Sequence, residues 1–143
     1  ALQAEPGNAT AGRGISLTLL QQGRTPESLQ VLEALLVQHP DDYTVLNNAA
    51  WLYATSTNRA DRRPARAVDL AREALLRAPQ DHHVWSTLAE AHYAQGDFSR
   101  AVRAAREAVN LAGRPTVAFP DMSLYRAQLE RAIRAEQAFS LVD

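Results

Sequence analysis

The sequence predicts an all-α chain of three repeated helix-turn-helix units followed by one closing helix. Pro6, Pro40 and Pro79 each end an apolar-periodic run and are followed by polar residues, at spacings of 34 and 39, and a further 34 residues lead to Gly113, another helix stopper. Within each interval, small and apolar residues recur at i, i+3, i+4 and i+7, the period of one helix face. A length of 143 residues, 46% of them hydrophobic, is enough for one core.

The elements follow in order. Residues 1–8 read as the closing turn of a second helix from an earlier unit, so the chain is expected to begin inside a repeat. The first unit, 9–42, opens on an inward stripe of Gly12, Ile15, Ser16 and Leu19. It turns at Gly23 and restarts at the helix-start signal Thr25-Pro26-Glu27, with Ser28, Leu32 and Leu35 inward. Gly12 and Gly14 each cost a helix about 1 kcal/mol relative to Ala, which makes the first helix the least ordered expected. The second unit, 43–81, is capped by Asp41 or Asp42 and turns Leu46, Ala49, Ala50 and Tyr53 inward. An insertion from Ser56 to Arg63 lengthens its turn before Ala67, Ala71 and Ala74. The third unit, 82–113, starts after Asp81, buries Trp85, Leu88, Ala89 and His92, turns at Gly96-Asp97-Phe98-Ser99, and continues through Ala101, Ala105 and Ala108.

Ser16, Ala50 and Ala89 are small enough to let two helix backbones come close. A leucine at Ala89 or Ala101 is expected to overpack the third unit, and at Ala112, near a helix end, to do less harm. Residues 114–120 carry two prolines and connect to a terminal helix over 121–139, with a tail to 143. Asp121 is its cap, Met122, Tyr125, Leu129 and Ile133 share one face, and Glu130 and Arg134 pair at i, i+4.

Taken jointly, these units resemble the tetratricopeptide-repeat (TPR) family, whose unit is a 34-residue helix pair. The third unit matches best, through Trp85, Leu88-Ala89, Tyr93, Gly96-Asp97-Phe98, Ala101 and Ala108, and the resemblance spans 9–113. It implies a right-handed superhelix of about three helix pairs, with the terminal helix shielding the last open face. It also implies a concave surface where extended peptides or helices bind. The sequence departs from the family at Gly12, where a bulky aromatic is usual, at His92, which replaces a Tyr, and in the long middle turn. TPR modules that grip a heat-shock chaperone's C-terminal carboxylate use a set of basic residues and asparagines. Only Arg13 and Asn48 match that set, while Leu17, His83 and Thr87 stand at the other positions, so a different protein partner is expected.

Composition excludes several chemistries. The 15 basic residues are all Arg against 16 acidic ones, so no global field draws nucleic acid or an anionic membrane. Without Lys there is no Schiff base and no phosphate-loop lysine; without Cys there is no disulfide, thiolate ligand or Cys nucleophile. His83 and His92 lie nine residues apart, roughly 180° around a helix and about 13 Å along it, and do not chelate one ion. His82-His83 reads as a helix start and His39 as a helix end. Gly12-Arg13-Gly14 lacks the strand and the third glycine of a phosphate loop. No catalysis, cofactor or metal is predicted. Arg59, Arg62, Arg63 and Arg66 would form a basic lip if their stretch were helical; the alternative is a solvated loop neutralised by Asp61 and Asp69, and nucleic acid is not the expected partner. No apolar run approaches the 18 residues of a membrane span, and residues 1–5 carry no signal-peptide pattern. The segment reads as soluble, cytoplasmic or periplasmic, and its Arg- and Ala-rich composition suggests a bacterial source.

The side of each first helix opposite its core stripe carries Arg13, Leu17 and Leu20; then Thr44, Asn47, Asn48, Trp51 and Thr55; then His83, Ser86, Thr87, Glu90 and Tyr93. By the resemblance this is the concave, partner-binding side. A Trp on an otherwise polar stripe is either a binding anchor or a residue packed beneath the 56–63 insertion. The function expected is a non-catalytic adaptor or assembly scaffold that binds a peptide or helix. The alternative is self-association, or a structural spacer within a multi-subunit complex.

Overall fold

The computed structural model describes residues 9–117 and 121–142; the expected stub at 1–8 lies outside them. Helices α1 (Ala9–Gln21) and α2 (Thr25–Gln38) form the first pair, α3 (Tyr43–Thr55) and α4 (Pro64–Arg77) the second, α5 (His82–Gln95) and α6 (Phe98–Ala112) the third, and α7 (Met122–Val142) closes the chain. Each helix packs on its pair partner, α3 also on α5, and α2 and α4 each on the helix that follows, so the pairs stack into a helical-repeat superhelix.

Local chemistry sets the boundaries. Gly23 and Gly96 end α1 and α5 with φ of 74° and 80°, a conformation open to residues without a Cβ. Pro26 and Pro64 sit in the first turns of α2 and α4, where the missing N–H costs nothing. Asp42, and not Asp41, caps α3 by accepting from the amides of Thr44 and Val45 at 3.1 and 3.2 Å. Asp41 instead pairs with Arg77 on α4. Asp81 and Asp97 cap α5 and α6.

The inward stripes meet as the periodicity requires. Leu32, Leu35, Ala49, Ala50, Ala67, Ala71 and Ala74 form a core with almost no exposure. Alanine rows on α4 and α6 keep the helix pairs tight. In the first pair, Ser16 and Ser28 hydroxyls hydrogen-bond at 2.8 Å, and Ser28 Oγ also donates to the Ser16 carbonyl at 2.9 Å, so two buried polar groups satisfy each other. Gly12 is buried and not a weak substitute for an aromatic: a Cβ there would lie 2.6 Å from Leu35 Cδ1.

Three expectations are corrected. Ala112 is completely buried, so its nearness to a helix end gives a larger residue no extra room. The terminal helix runs through Val142 instead of ending at 139; Ser140 bonds back to the Glu136 carbonyl and continues it. The inserted turn is neither a helix nor a free loop. It contains a short 3-10 turn at Arg59–Asp61 capped by Asn58, and the Arg63 amide donates to the Tyr53 carbonyl at 3.0 Å.

Candidate functional site

A groove of about 730 Å³ opens on the side of the stack formed by α1, α3 and α5. Its lining includes Arg13, Leu17 and Leu20 from α1, Asn47, Asn48 and Trp51 from α3, and His83, Ser86, Thr87 and Glu90 from α5. Helical period explains the assembly, because each set is displaced around its helix from the buried stripe. Trp51 is 41% exposed and Leu17 55% exposed. The insertion's contacts go elsewhere, to Tyr53 on the opposite face of α3, whose ring has Arg63 above it at 5.9 Å.

Sequence reasoning missed a fourth wall. His82, Asp121, Leu124, Tyr125 and Gln128 also line the groove, the last four from α7 and its cap. This helix does more than close the stack: its side chains reach the inner face of α5. Gln128 donates to the Ser86 carbonyl at 2.9 Å and accepts from the Ser86 hydroxyl at 3.0 Å, and Arg131 pairs with Glu90. His82 Nδ1 and the Tyr125 hydroxyl share a hydrogen bond of 2.8 Å. Burial, together with the adjoining His83, holds the His82 pKa below its ordinary value; burial, with Asp81 and Asp121 near, raises that of Tyr125. Both groups are therefore neutral near pH 7.

The third unit's stripe is thus divided. Ser86 and Thr87 are buried, and Glu90 is committed to Arg131 and Gln128. Tyr93 stands outside the groove, against Phe98 and beneath Arg131, whose guanidinium lies 4.4 Å from its ring centroid. Spacing placed Tyr93 on the right side of α5 but could not show that α7 covers it. Thr55 likewise turns back to its own helix, donating to the Trp51 carbonyl at 2.7 Å.

The four arginines of the expected lip do not share a helix face. Arg59 is on the 3-10 turn, Arg62 and Arg63 are in the extended connection, and Arg66 is on α4. Arg62 donates to the Ser56 carbonyl at 2.6 Å, and Arg66 grips Glu33 of α2 through both carboxylate oxygens. Tyr53 donates to the same carboxylate at 2.9 Å. Burial pushes the Glu33 pKa up, but the hydrogen bonds from Arg66 and Tyr53 outweigh it and hold the carboxyl below its ordinary value.

Of the histidines, His83 faces the groove and bonds Asp81 at 3.0 Å, while His92 is buried with its Nδ1 unpartnered. Among the described residues no three His, Asp or Glu side chains gather in a metal-holding group, and no helix is long and apolar enough to cross a membrane.

Stacked helix pairs with an open inner groove define a helical-repeat protein. Descriptions of the tetratricopeptide repeat match residues 13–62 and 59–117. The chain belongs to the tetratricopeptide-repeat family. It is also similar to "Cellulose synthase operon protein C" of Komagataeibacter sucrofermentans and of Komagataeibacter xylinus, at 33% identity over 102 residues in each case. "Cellulose synthase 1 operon protein C" of Komagataeibacter xylinus is 32% identical over 102 residues. These matches cover 71% of this chain and 8% of each relative, so the chain spans less than a tenth of the length of the curated relatives it matches.

Proposed function

We propose that this segment is a non-catalytic scaffold that holds a segment of a partner protein in the groove of α1, α3, α5 and α7, as part of a protein of the kind its relatives' names give, a cellulose synthase operon protein. The observation that carries it is the groove's exposed apolar surface, Leu17, Leu20, Trp51 and Leu124, contributed by three of its walls. A surface of this type suits the capture of a partner segment. Trp51 is the anchor: large, flanked by Asn47 and Asn48, and partly open to solvent.

Trp51→Ala tests this when read twice. Loss of an aromatic hot spot costs about 2 kcal/mol or more of binding, roughly 30-fold, while removal of a half-exposed side chain barely moves the melting temperature. A large loss of stability with unchanged affinity would make Trp51 structural and end the groove reading. Self-association is the second reading, favoured by Val37 on α2 and Leu76 on α4, which are 82% and 76% exposed. Its signature is a sedimentation coefficient that rises with concentration and falls back on Leu76→Ser.

A further inference from the structure

The seam between the first and second helix pairs holds a carboxylate that the seam between the second and third replaces by an arginine. In sequence, α2 maps onto α4 and α3 onto α5 at a spacing of 39, and α4 onto α6 at 34. Glu33, Tyr53 and Arg66 of the first seam therefore correspond to Arg72, His92 and Arg100 of the second. Glu33 accepts from Tyr53 at 2.9 Å and from Arg66 at 2.9 to 3.3 Å, whereas the second seam offers Arg100 a guanidinium in place of that carboxylate. We propose that Arg72 and Arg100, outside the groove, form a site for a small oxyanion, a carboxylate or sulfate-like group that takes the part played by the Glu33 carboxylate one seam earlier.

Both guanidiniums have donors to spare. Arg72 is exposed and makes no ion pair among the described residues. Arg100, 57% exposed, pairs with Asp97, the cap of its own helix, at 3.1 Å, and the same carboxylate also accepts from the Arg100 amide. Asp69, three positions before Arg72, bears on Arg66. His92 shows that the two arginines converge: burial above all lowers its pKa, Arg72 from α4 and Arg100 from α6 lower it further, and Asp97 and Gln95 oppose them, so both neighbouring helices bear on this one ring of α5. The ring is 4% exposed, and its Nδ1 lacks the partner that the Tyr53 hydroxyl finds in Glu33. An anion meets the exposed guanidiniums, whose planar forks match the paired oxygens of a carboxylate or sulfate. The buried ring needs no contact with it, because a negative charge there offsets the two positive charges that oppose its protonation.

The test titrates sodium acetate and sodium sulfate into the 143-residue chain, with chloride keeping the ionic strength constant, and follows the side-chain Nε signals of Arg72 and Arg100 and the ring carbons of His92 by NMR. Expected is one saturable curve shared by these three residues, half-complete at about 1–10 mM, with His83 unmoved. A protonated His92 adds a third cation, so sulfate should bind about threefold more tightly at about pH 6 than at about pH 7.5. Arg72→Glu rebuilds the carboxylate of the first seam; it should abolish binding and raise the melting temperature. Arg72→Gln, which keeps the test open if the Glu variant fails to fold, should weaken binding about tenfold. Saturation of the same signals by acetyl-Gly-Glu-Gly-amide would assign the site to an acidic side chain of a partner, and a response to acetate and sulfate alone would assign it to a free solute; either upholds it. Signals that drift without saturating, a shift that His83 shares, or binding that survives Arg72→Glu overturns the proposal.

Discussion

Gly12 and Gly14 lie two residues apart on α1, and their replacement by alanine is expected to have opposite outcomes. Each substitution removes the backbone freedom of glycine in a helix interior, a gain of about 1 kcal/mol. At Gly14 nothing lies within 4 Å of the new Cβ, so the gain is realised. At Gly12 the Cβ would lie 2.6 and 2.7 Å from the two Leu35 methyls and 3.0 Å from Leu35 Cγ. Leu35 is only 2% exposed, so it has no solvent to move into, and overpacking of this type costs about 1–3 kcal/mol. Both variants gain the same propensity, so the difference between them isolates the clash. At roughly 3 °C per kcal/mol for a chain of this size, Gly12→Ala should melt about 3–9 °C below Gly14→Ala in scanning calorimetry. Equal melting temperatures would show that α1 does not approach α2 at Gly12, and the first pair as described would be wrong.

Burial, above all, lowers the His92 pKa from its ordinary 6.5, so the unfolded chain binds the proton more readily than the folded one. Stability should therefore be full above pH 6.5 and fall as the pH drops below it; His92→Phe should flatten that slope in thermal melts. Ala112→Leu should cost about 1–3 kcal/mol, as much as Ala101→Leu, since both alanines are completely buried; a near-neutral chemical denaturation midpoint would place α6 incorrectly. Glu33→Ala strands the Tyr53 hydroxyl and frees Arg66, and should lower stability by about 1–2 kcal/mol, with Tyr53→Phe in the same background recovering part of it.

The helix pairs were legible because they depend on local signals: prolines, the two turn glycines, and small residues every three or four positions are conditions on neighbours in sequence. Trp51 could be placed on the side away from Ala49, Ala50 and Tyr53 by helical period alone, yet whether the insertion covered it depended on where Ser56–Arg63 led. That was decided by the Arg63 amide on the Tyr53 carbonyl, a contact with no periodic signature. For α7 the stripe of Met122, Tyr125, Leu129 and Ile133 predicted a contact face, and Tyr125 on it reaches His82, but Gln128 and Arg131, which carry the other links to α5, lie off that stripe. Long polar side chains that reach a neighbouring helix leave no periodic apolar trace in the sequence. The four arginines were misleading for the related reason that spacing fixes a face only where the backbone is helical.

The attachment of α7 has a consequence for which wall of the groove yields first. α7 packs along α6, where Ala132 joins Ala101 and Val102 with Leu129 and Ile133 against them, whereas its links to α5 are hydrogen bonds of Gln128 and Tyr125 and the Arg131–Glu90 ion pair. The polar links on the groove side are released at lower free energy than the apolar seam with α6 or the alanine-lined seams of α3 with α4 and α5 with α6. Amide hydrogens of α7 should therefore exchange with solvent well before those of α3 and α5. The groove side of α7 is then the wall that a ligand would displace most readily, by exchanging its own polar groups for the links that Gln128 and Arg131 make to α5.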